Sequence, residues 1–216
     1  MNWANRTHQT PDARAGGGLD GQGDRAPLDD PGRGRPGTRC PEEDTADGFQ
    51  HGGWHLRYFD DTSRKWPVDS YAAAGGFVFG RRILESLAGY WPHASEEEQV
   101  IAEPLNSRPK YVASTTLIEP LAWQHSTVLK GDVAEAVAAL KGQDGGDLRV
   151  VGSMQLVQML IAHRLVDELQ LMVDPLMVGG GKGIFPADGM LRPLRLVDSK
   201  VTSTGAILAT YAPANA

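Results

Sequence analysis

The chain contains one cysteine, Cys40, among 216 residues. A lone thiol makes no internal disulfide, which suits a reducing compartment. It also removes zinc sites built on cysteine pairs, including the paired cysteines and His-x-Glu of nucleobase deaminases. No long apolar run is present to span a bilayer, and no apolar h-region follows the N-terminus, so neither a membrane segment nor a secretory leader is expected. Basic clusters are lacking too; with a net charge of −6, nucleic acid is not an expected partner. These absences favour a cytoplasmic protein. The length suffices for one domain with a full core.

Residues 1–46 lack lysine and have only Trp3, Leu19 and Leu28 as large apolar side chains, while holding eight glycines, five prolines and six arginines. Such a segment buries too little surface to offset its ordering entropy and reads as a disordered Gly/Pro/Arg-rich tail. The folded domain is expected from residue 47 to 216.

The stretch from Asp147 to Phe185 organises the rest. Leu148, Val150 and Val151 form a short buried strand that turns at Gly152-Ser153. Leu156, Val157, Leu160 and Ile161 then recur at helical spacing. Leu169, Leu171 and Val173 alternate as in a half-buried strand that ends at Asp174-Pro175. Strand, helix, strand and the glycines Gly179 to Gly181 make a βαβ unit. A glycine before a helix lets an anion approach backbone N–H groups at the positive end of the dipole. The plain alternative is a strand–helix turn with a serine N-cap. The run from Gly179 to Gly183 is not a P-loop, because Leu176 and Gly183 stand where a glycine and a Ser/Thr are needed. Nor is it a dinucleotide fingerprint, since Ile184, Phe185 and Pro186 follow it.

Upstream, Phe49, Trp54, Leu56, Tyr58 and Phe59 form an aromatic-rich loop or short strand, and a helix is expected over Thr62 to Ala74 with Pro67 near its first turn. Phe77 to Phe79 make a buried strand, and Gly80-Arg81-Arg82 opens a short helix. A helix over Glu96 to Leu105, a strand over Lys110 to Ser114, a brief strand at Val128-Leu129 and a helix over Val133 to Lys141, capped by Asp132, follow. Leu194 to Thr202 and Ala206 to Tyr211 alternate around Gly205 as a hairpin. The fold class is α/β: a mostly parallel sheet flanked by helices, closed by an antiparallel C-terminal hairpin.

Three strand ends carry residues suited to a nucleotide. Gly80, Arg81 and Arg82 open a helix, and an arginine pair can select a 2′-phosphate; solvated helix-surface arginines are the alternative. Ser114, Thr115 and Thr116 offer hydroxyls for sugar or phosphate, or simply cap a turn. Gly152-Ser153 is the third. In open α/β sheets ligands sit beyond the carboxyl ends of the strands, so three such ends in order support a dinucleotide site more than any one does.

The pattern GGFVFGRRILESLAGYWP, NSRPKYVASTTL, GDVAEAVAALK and GGDLRVVGSMQLVQMLIAHRLVDELQLMVDPLMVGGGKGIFP closely resembles the dihydrofolate-reductase-like proteins. It is similar to those related to the C-terminal reductase domain of the bifunctional riboflavin-biosynthesis deaminase-reductase, over about Phe49 to Pro213. The resemblance implies a dihydrofolate-reductase-like fold, NADPH as hydride donor and often a homodimer. It implies reduction of a small pyrimidine- or pterin-like heterocycle, as a 5-amino-6-(5-phosphoribosylamino)uracil reductase or a dihydrofolate reductase does. By the same resemblance, Gly80, Arg81 and Arg82 receive the adenosine 2′-phosphate. Ser114 and Thr115 line the adenosine ribose; Gly152, Ser153, Met154 and Gln155 hold the pyrophosphate, with Val151 beside the nicotinamide. No residue is required to act as a covalent nucleophile, and the catalytic residues are not named.

Two departures matter. Ile83 stands where relatives commonly have threonine. Relatives also begin with an apolar central strand leading into Ser-Leu-Asp-Gly; here Leu19-Asp20-Gly21 follow Ala15 to Gly18, which cannot form a buried strand. The first strand is therefore missing or replaced. Its loss would leave neighbouring strands unpaired and open the cofactor site to water, giving weak NADPH binding. The alternative is a non-catalytic dimeric relative that keeps the fold without turnover; a flavodoxin-like carrier fits less well, for want of a Ser/Thr-rich phosphate loop.

Asp60 and Asp61 follow the aromatic cluster and are weak candidates for substrate contact, a solvated loop being the plainer reading. Trp54, Tyr90 and Trp91 suit core packing or ring stacking. His51, His55, His93, His125 and His163 are scattered, and no metal is expected.

Overall fold

The computed structural model describes residues 53–177 and 183–214, together with the backbone of 9–14. One eight-stranded sheet runs through it in the order β4-β3-β2-β5-β1-β6-β8-β7. Its strands are β1 (Gln9–Arg14), β2 (Gly76–Gly80), β3 (Lys110–Ala113), β4 (Ser126–Leu129), β5 (Leu148–Val150), β6 (Glu168–Val173), β7 (Leu194–Val201) and β8 (Ile207–Pro213). The helices are α1 (Asp61–Ala73), α2 (Arg81–Ala88), α3 (Gln99–Ser107), α4 (Val133–Lys141) and α5 (Met154–Ala162).

β2, β3, β4 and β5 pair in parallel. β1 is antiparallel to both β5 and β6, so β5 and β6 point the same way. β6, β8 and β7 continue antiparallel. Six strands therefore share a direction and only β1 and β8 oppose it. The sheet is mostly parallel with a closing hairpin, the dihydrofolate-reductase-like architecture.

β2 shows why both faces are covered. All five of its residues are buried. Phe77 and Phe79 point into one cluster with Tyr71 of α1, Ile83 and Leu84 of α2 and Leu105 of α3. Val78 points into the other, with Val137 of α4 and Leu156, Val157 and Leu160 of α5. A continuous apolar run with period-two alternation is what a parallel strand between two helix layers requires. Two helix starts are local chemistry: Asp60 and Ser63 form a capping box for α1, and Asp132 accepts from the Glu135 N–H to start α4. Pro67 lies inside α1, one turn deeper than its expected place.

The segment read as a tail requires a correction at six residues. Gln9–Arg14 occupy the sheet position between β5 and β6, with Ala13 level with both Val150 and Leu169. The central strand is thus replaced by QTPDAR, not left out. Composition did not reveal it because the segment has no apolar alternation, and Pro11 cannot donate to a ladder. The rest of 1–46, with Cys40, and also Phe49, His51 and the glycines Gly179 to Gly181 lie outside the described residues. No helix among the described residues is long and apolar enough to cross a membrane.

Candidate functional site

Parallel pairing aligns the carboxyl ends of β2, β3 and β5 on one rim, with β6 running the same way beyond β1, and three turns on the rim lie side by side. The N–H of Gly80 donates to the carbonyl of Gly152 at 2.9 Å. A Cβ on Gly80 would sit 2.9 Å from Ser153 Oγ and 3.2 Å from Ser153 N, so only glycine allows these two turns to approach. Gly152 adopts φ of 57°, in the left-handed region, and its peptide to Ser153 is cis. Arg81 Nη1 donates to Thr116 Oγ1 at 2.6 Å, joining the β2 turn to the β3 turn. Ser114 Oγ accepts from the N–H groups of Thr116 and Leu117 at 3.2 and 3.1 Å.

The candidates differ in how free they are. Arg81 is exposed but also holds Glu85, with Nε to Oε1 at 2.8 Å; an incoming phosphate would share it with that carboxylate. Arg82 is exposed and makes no ion pair with another described residue. Thr115 is exposed, while Ser114 is half-buried and engaged in its turn. Ile83, which stands where relatives commonly have threonine, is a core residue at 4% exposure. Val151 is buried beneath the rim; Met154 is half-buried and Gln155 exposed on the first turn of α5.

Ser153 does not behave as the plain reading of its turn required. It is the N-cap of α5 but makes no side-chain capping bond. The first-turn N–H groups therefore keep the positive end of the helix dipole turned to the rim. A glycine turn, an uncapped helix start, two exposed arginines and three hydroxyls suit a ligand bearing phosphates and sugar hydroxyls.

Further along the rim, beyond β1, the sequence reading missed a buried pair. Asp174, directly after β6, bonds His55 Nδ1. The two side chains are 0% and 2% exposed. Phe59 meets the imidazole edge-on at 4.4 Å and Trp54 at 5.6 Å. Asp174 Oδ1 is buried without a hydrogen-bond partner among the described residues. The pair pins the loop entering α1 to the end of β6, two strand positions from β5 and hence roughly 10 Å from Gly152 across the sheet. The aspartate in Asp-Pro was visible as a strand terminator, but nothing in the sequence joined it to His55.

Asp60 requires a correction. Its Oδ1 accepts from Ser63 N at 2.9 Å, and its Oδ2 accepts from Ser203 N and Oγ at 2.8 and 2.7 Å. The Ser203 hydroxyl, first, and then the Ser63 N–H hold its carboxyl well below the usual range. Both oxygens are engaged in capping α1 and tethering the β7–β8 turn, so Asp60 has a structural role, neither the solvated loop residue of the plainer reading nor the weaker candidate for substrate contact. Asp61 is exposed on the first turn of α1. Trp91 is a core residue at 4% exposure, and Tyr90 bonds Glu98 at 2.7 Å.

A cavity of about 220 Å³ lies away from this rim, toward the amino end of β5, lined by residues including Trp66, Asp69, Arg149 and Gln170. The chemistry concentrates at the rim, where the polar turns converge.

Comparison with known proteins agrees with this geometry. The family model described as the RibD C-terminal domain matches residues 45–208. The uncharacterized protein YyaP of Bacillus subtilis (strain 168) is 26% identical over 136 residues, 62% of this chain and 71% of YyaP. A crystal structure of a provisionally assigned riboflavin biosynthesis protein from Shewanella sp. PV-4 aligns with a TM-score of 0.55 at 21% identity, over 68% of this chain and 78% of its own, a likeness of fold. With a family match across most of its described residues and the corresponding sheet, the chain belongs to the RibD C-terminal domain family and has its dihydrofolate-reductase-like, reductase-type fold.

Proposed function

We propose that this protein is an NADPH-dependent reductase of a small heterocyclic substrate, of the pyrimidine or pterin kind handled by riboflavin-biosynthesis reductases. The observation that carries the reading is the convergence of Gly80–Arg82, Ser114–Thr116 and Gly152–Gln155 on one rim, linked by the Gly80–Gly152 and Arg81–Thr116 hydrogen bonds. NADPH, when bound, supplies a hydride. The chain's own contribution is grip and orientation. Arg81 and Arg82 meet a 2′-phosphate, Ser114 and Thr115 the adjoining ribose, and the α5 start with Ser153, Met154 and Gln155 the pyrophosphate. Val151 forms the wall beside the nicotinamide. Asp61 is the remaining, weaker candidate on the substrate side.

Titration of the purified protein with NADPH and NADH, followed by tryptophan fluorescence, tests this. Charge-assisted bonds to phosphate are worth about 1.5–3 kcal/mol each. NADPH should therefore bind at least about ten-fold tighter than NADH, and Arg81→Ala with Arg82→Ala should erase the preference. Equal affinity for the two nucleotides would remove the 2′-phosphate assignment. The polar β1 favours a second reading, a relative that keeps the fold without turnover, because QTPDAR is a weak central strand beside the nicotinamide wall. NADPH oxidation over a panel of pyrimidine and pterin substrates separates the two. Turnover supports the reductase; binding with no turnover supports the second reading.

A further inference from the structure

β1 fills a position whose two neighbours suit a different strand. β5 and β6 run along either side of it, and their backbone N–H and C=O groups need partners whatever side chains the strand between them carries. On the α4 and α5 side, Val150, Leu169 and Leu171 pack into an apolar cluster. The register places Ala13 level with Val150 and Leu169, and Pro11 level with Leu171. Alanine is small for such a setting, and proline brings no N–H to a ladder. A β-branched residue at each alternate position would match this face better.

On the α1 side the mismatch is one of volume. Arg149 of β5 and Gln170 of β6 stand on either side of β1, and Arg149 Nη2 donates to Gln170 Oε1 at 2.6 Å across it. Above them, Trp66, Ser70 and Ala73 of α1 complete the cavity of about 220 Å³. Roughly 150 Å³ is enough for a benzene ring, so this space takes an aromatic side chain. The walls suit one: Trp66 and Leu148 are apolar, and the Ser70 hydroxyl can meet a phenol O–H. By alternation, the strand position after Ala13 falls on this face.

We propose that the slot between β5 and β6 is a strand-acceptor site for an extended peptide supplied in trans, with β-branched residues at three alternate positions and an aromatic residue facing α1. The donor replaces Gln9–Arg14, antiparallel to both neighbours, and makes main-chain hydrogen bonds on its two sides at once. It competes with QTPDAR, which the chain holds at high effective concentration, so only a donor of better side-chain fit prevails. The proposal goes beyond the reductase reading and needs no nucleotide. The outer edge of β7, which no strand covers among the described residues, is the competing place for such a peptide, but there it would pair on one side only.

The test uses the full chain and the dye-labelled peptide KKVTVTVYKK, which sets valines at the positions of Gln9, Pro11 and Ala13 and tyrosine at that of Arg14. Fluorescence anisotropy should show saturable one-to-one binding at micromolar concentration, at least about ten-fold tighter than for the scrambled KKTVVTYVKK. On binding, the amides of Thr10 and Ala13 should lose hydrogen-exchange protection while those of Val150 and Leu169 keep theirs. Ala13→Asp sets a carboxylate level with two buried apolar residues. It weakens the resident strand and should tighten the peptide about ten-fold or more; if that variant does not fold, the exchange pattern of the original chain decides. Equal affinity for the two peptides or no binding by the original chain would overturn the proposal. Binding that leaves Thr10 and Ala13 protected would overturn it too, and would place the peptide at β7.

Discussion

Lys110 is fully buried, an unusual place for an ammonium, and its surroundings explain why it is tolerated. Its Nζ donates to the carbonyls of Leu105, Arg108 and Asn106 at 2.8, 2.9 and 3.2 Å, the acceptors left open at the end of α3. It also lies 4.9 Å from the centre of the Trp123 ring. Burial nonetheless pushes its pKa down to about 8 from 10.5. The native state then sheds this proton before the unfolded chain does. Between pH 8 and 10.5 the unfolded state binds more protons, and the contribution of Lys110 to stability rises with pH. Tyr90 acts oppositely: burial first, then Glu98, raises it to about 12, so its contribution is present below pH 10 and lost between 10 and 12. Denaturant unfolding from pH 7.5 to 9.5 should therefore show an upward increment that is missing in Lys110→Met. The His55–Asp174 pair makes a different demand at this scale. His55→Ala strands a buried carboxylate whose other oxygen already has no partner among the described residues. A loss of about 3 kcal/mol or more is expected in chemical denaturation; a loss below about 1 kcal/mol would show that water enters and satisfies Asp174.

Between elements, two glycine positions a short distance apart in space behave oppositely. Gly75 joins α1 to β2 and passes directly under the loop between α4 and β5. A Cβ there would lie 1.9 Å from the Gly145 carbonyl oxygen, a backbone atom that cannot swing aside. Gly145 itself has nothing within 4 Å of a built Cβ. Gly75→Ala should thus cost about 2 kcal/mol or more through overpacking, while Gly145→Ala should stay within about 0.5 kcal/mol of the original protein. Thermal unfolding of the two variants side by side checks this, with equal Tm values contradicting it. The junction matters to the rim because β2 delivers Gly80 to Ser153. A displaced β2 would open the contact between their turns.

Across the whole molecule, β1 occupies the decisive position. Without it, β2 to β5 form a parallel block and β6 to β8 an antiparallel one, and β1 is the strand that hydrogen-bonds to both. Removing residues 1–14 should leave the facing edges of β5 and β6 unpaired. The truncated chain should melt at lower temperature, and the amides of Val150 and Leu169 should lose hydrogen-exchange protection before that of Val78. Unchanged protection at Val150 and Leu169 would mean that the two blocks hold together by side-chain packing alone.

Most elements were legible in the chain itself because their signals are local. α4 runs over Val133–Lys141 with Asp132 as its cap, as read from neighbours within one turn, and α1 is displaced by one residue from its expected span. The three rim turns were legible for the same reason: each is a short run of glycine, arginine or hydroxyl residues at a strand end, and parallel pairing is enough to bring strand ends together. What the tertiary structure alone decided are contacts whose partners lie far apart along the chain. His55 and Asp174 are separated by 119 positions, and Asp60 reaches Ser203 across 143. No periodicity links such residues. QTPDAR takes a central strand position against its own propensities, because β5 and β6 each present a backbone edge whose N–H and C=O groups need partners whatever side chains those partners carry.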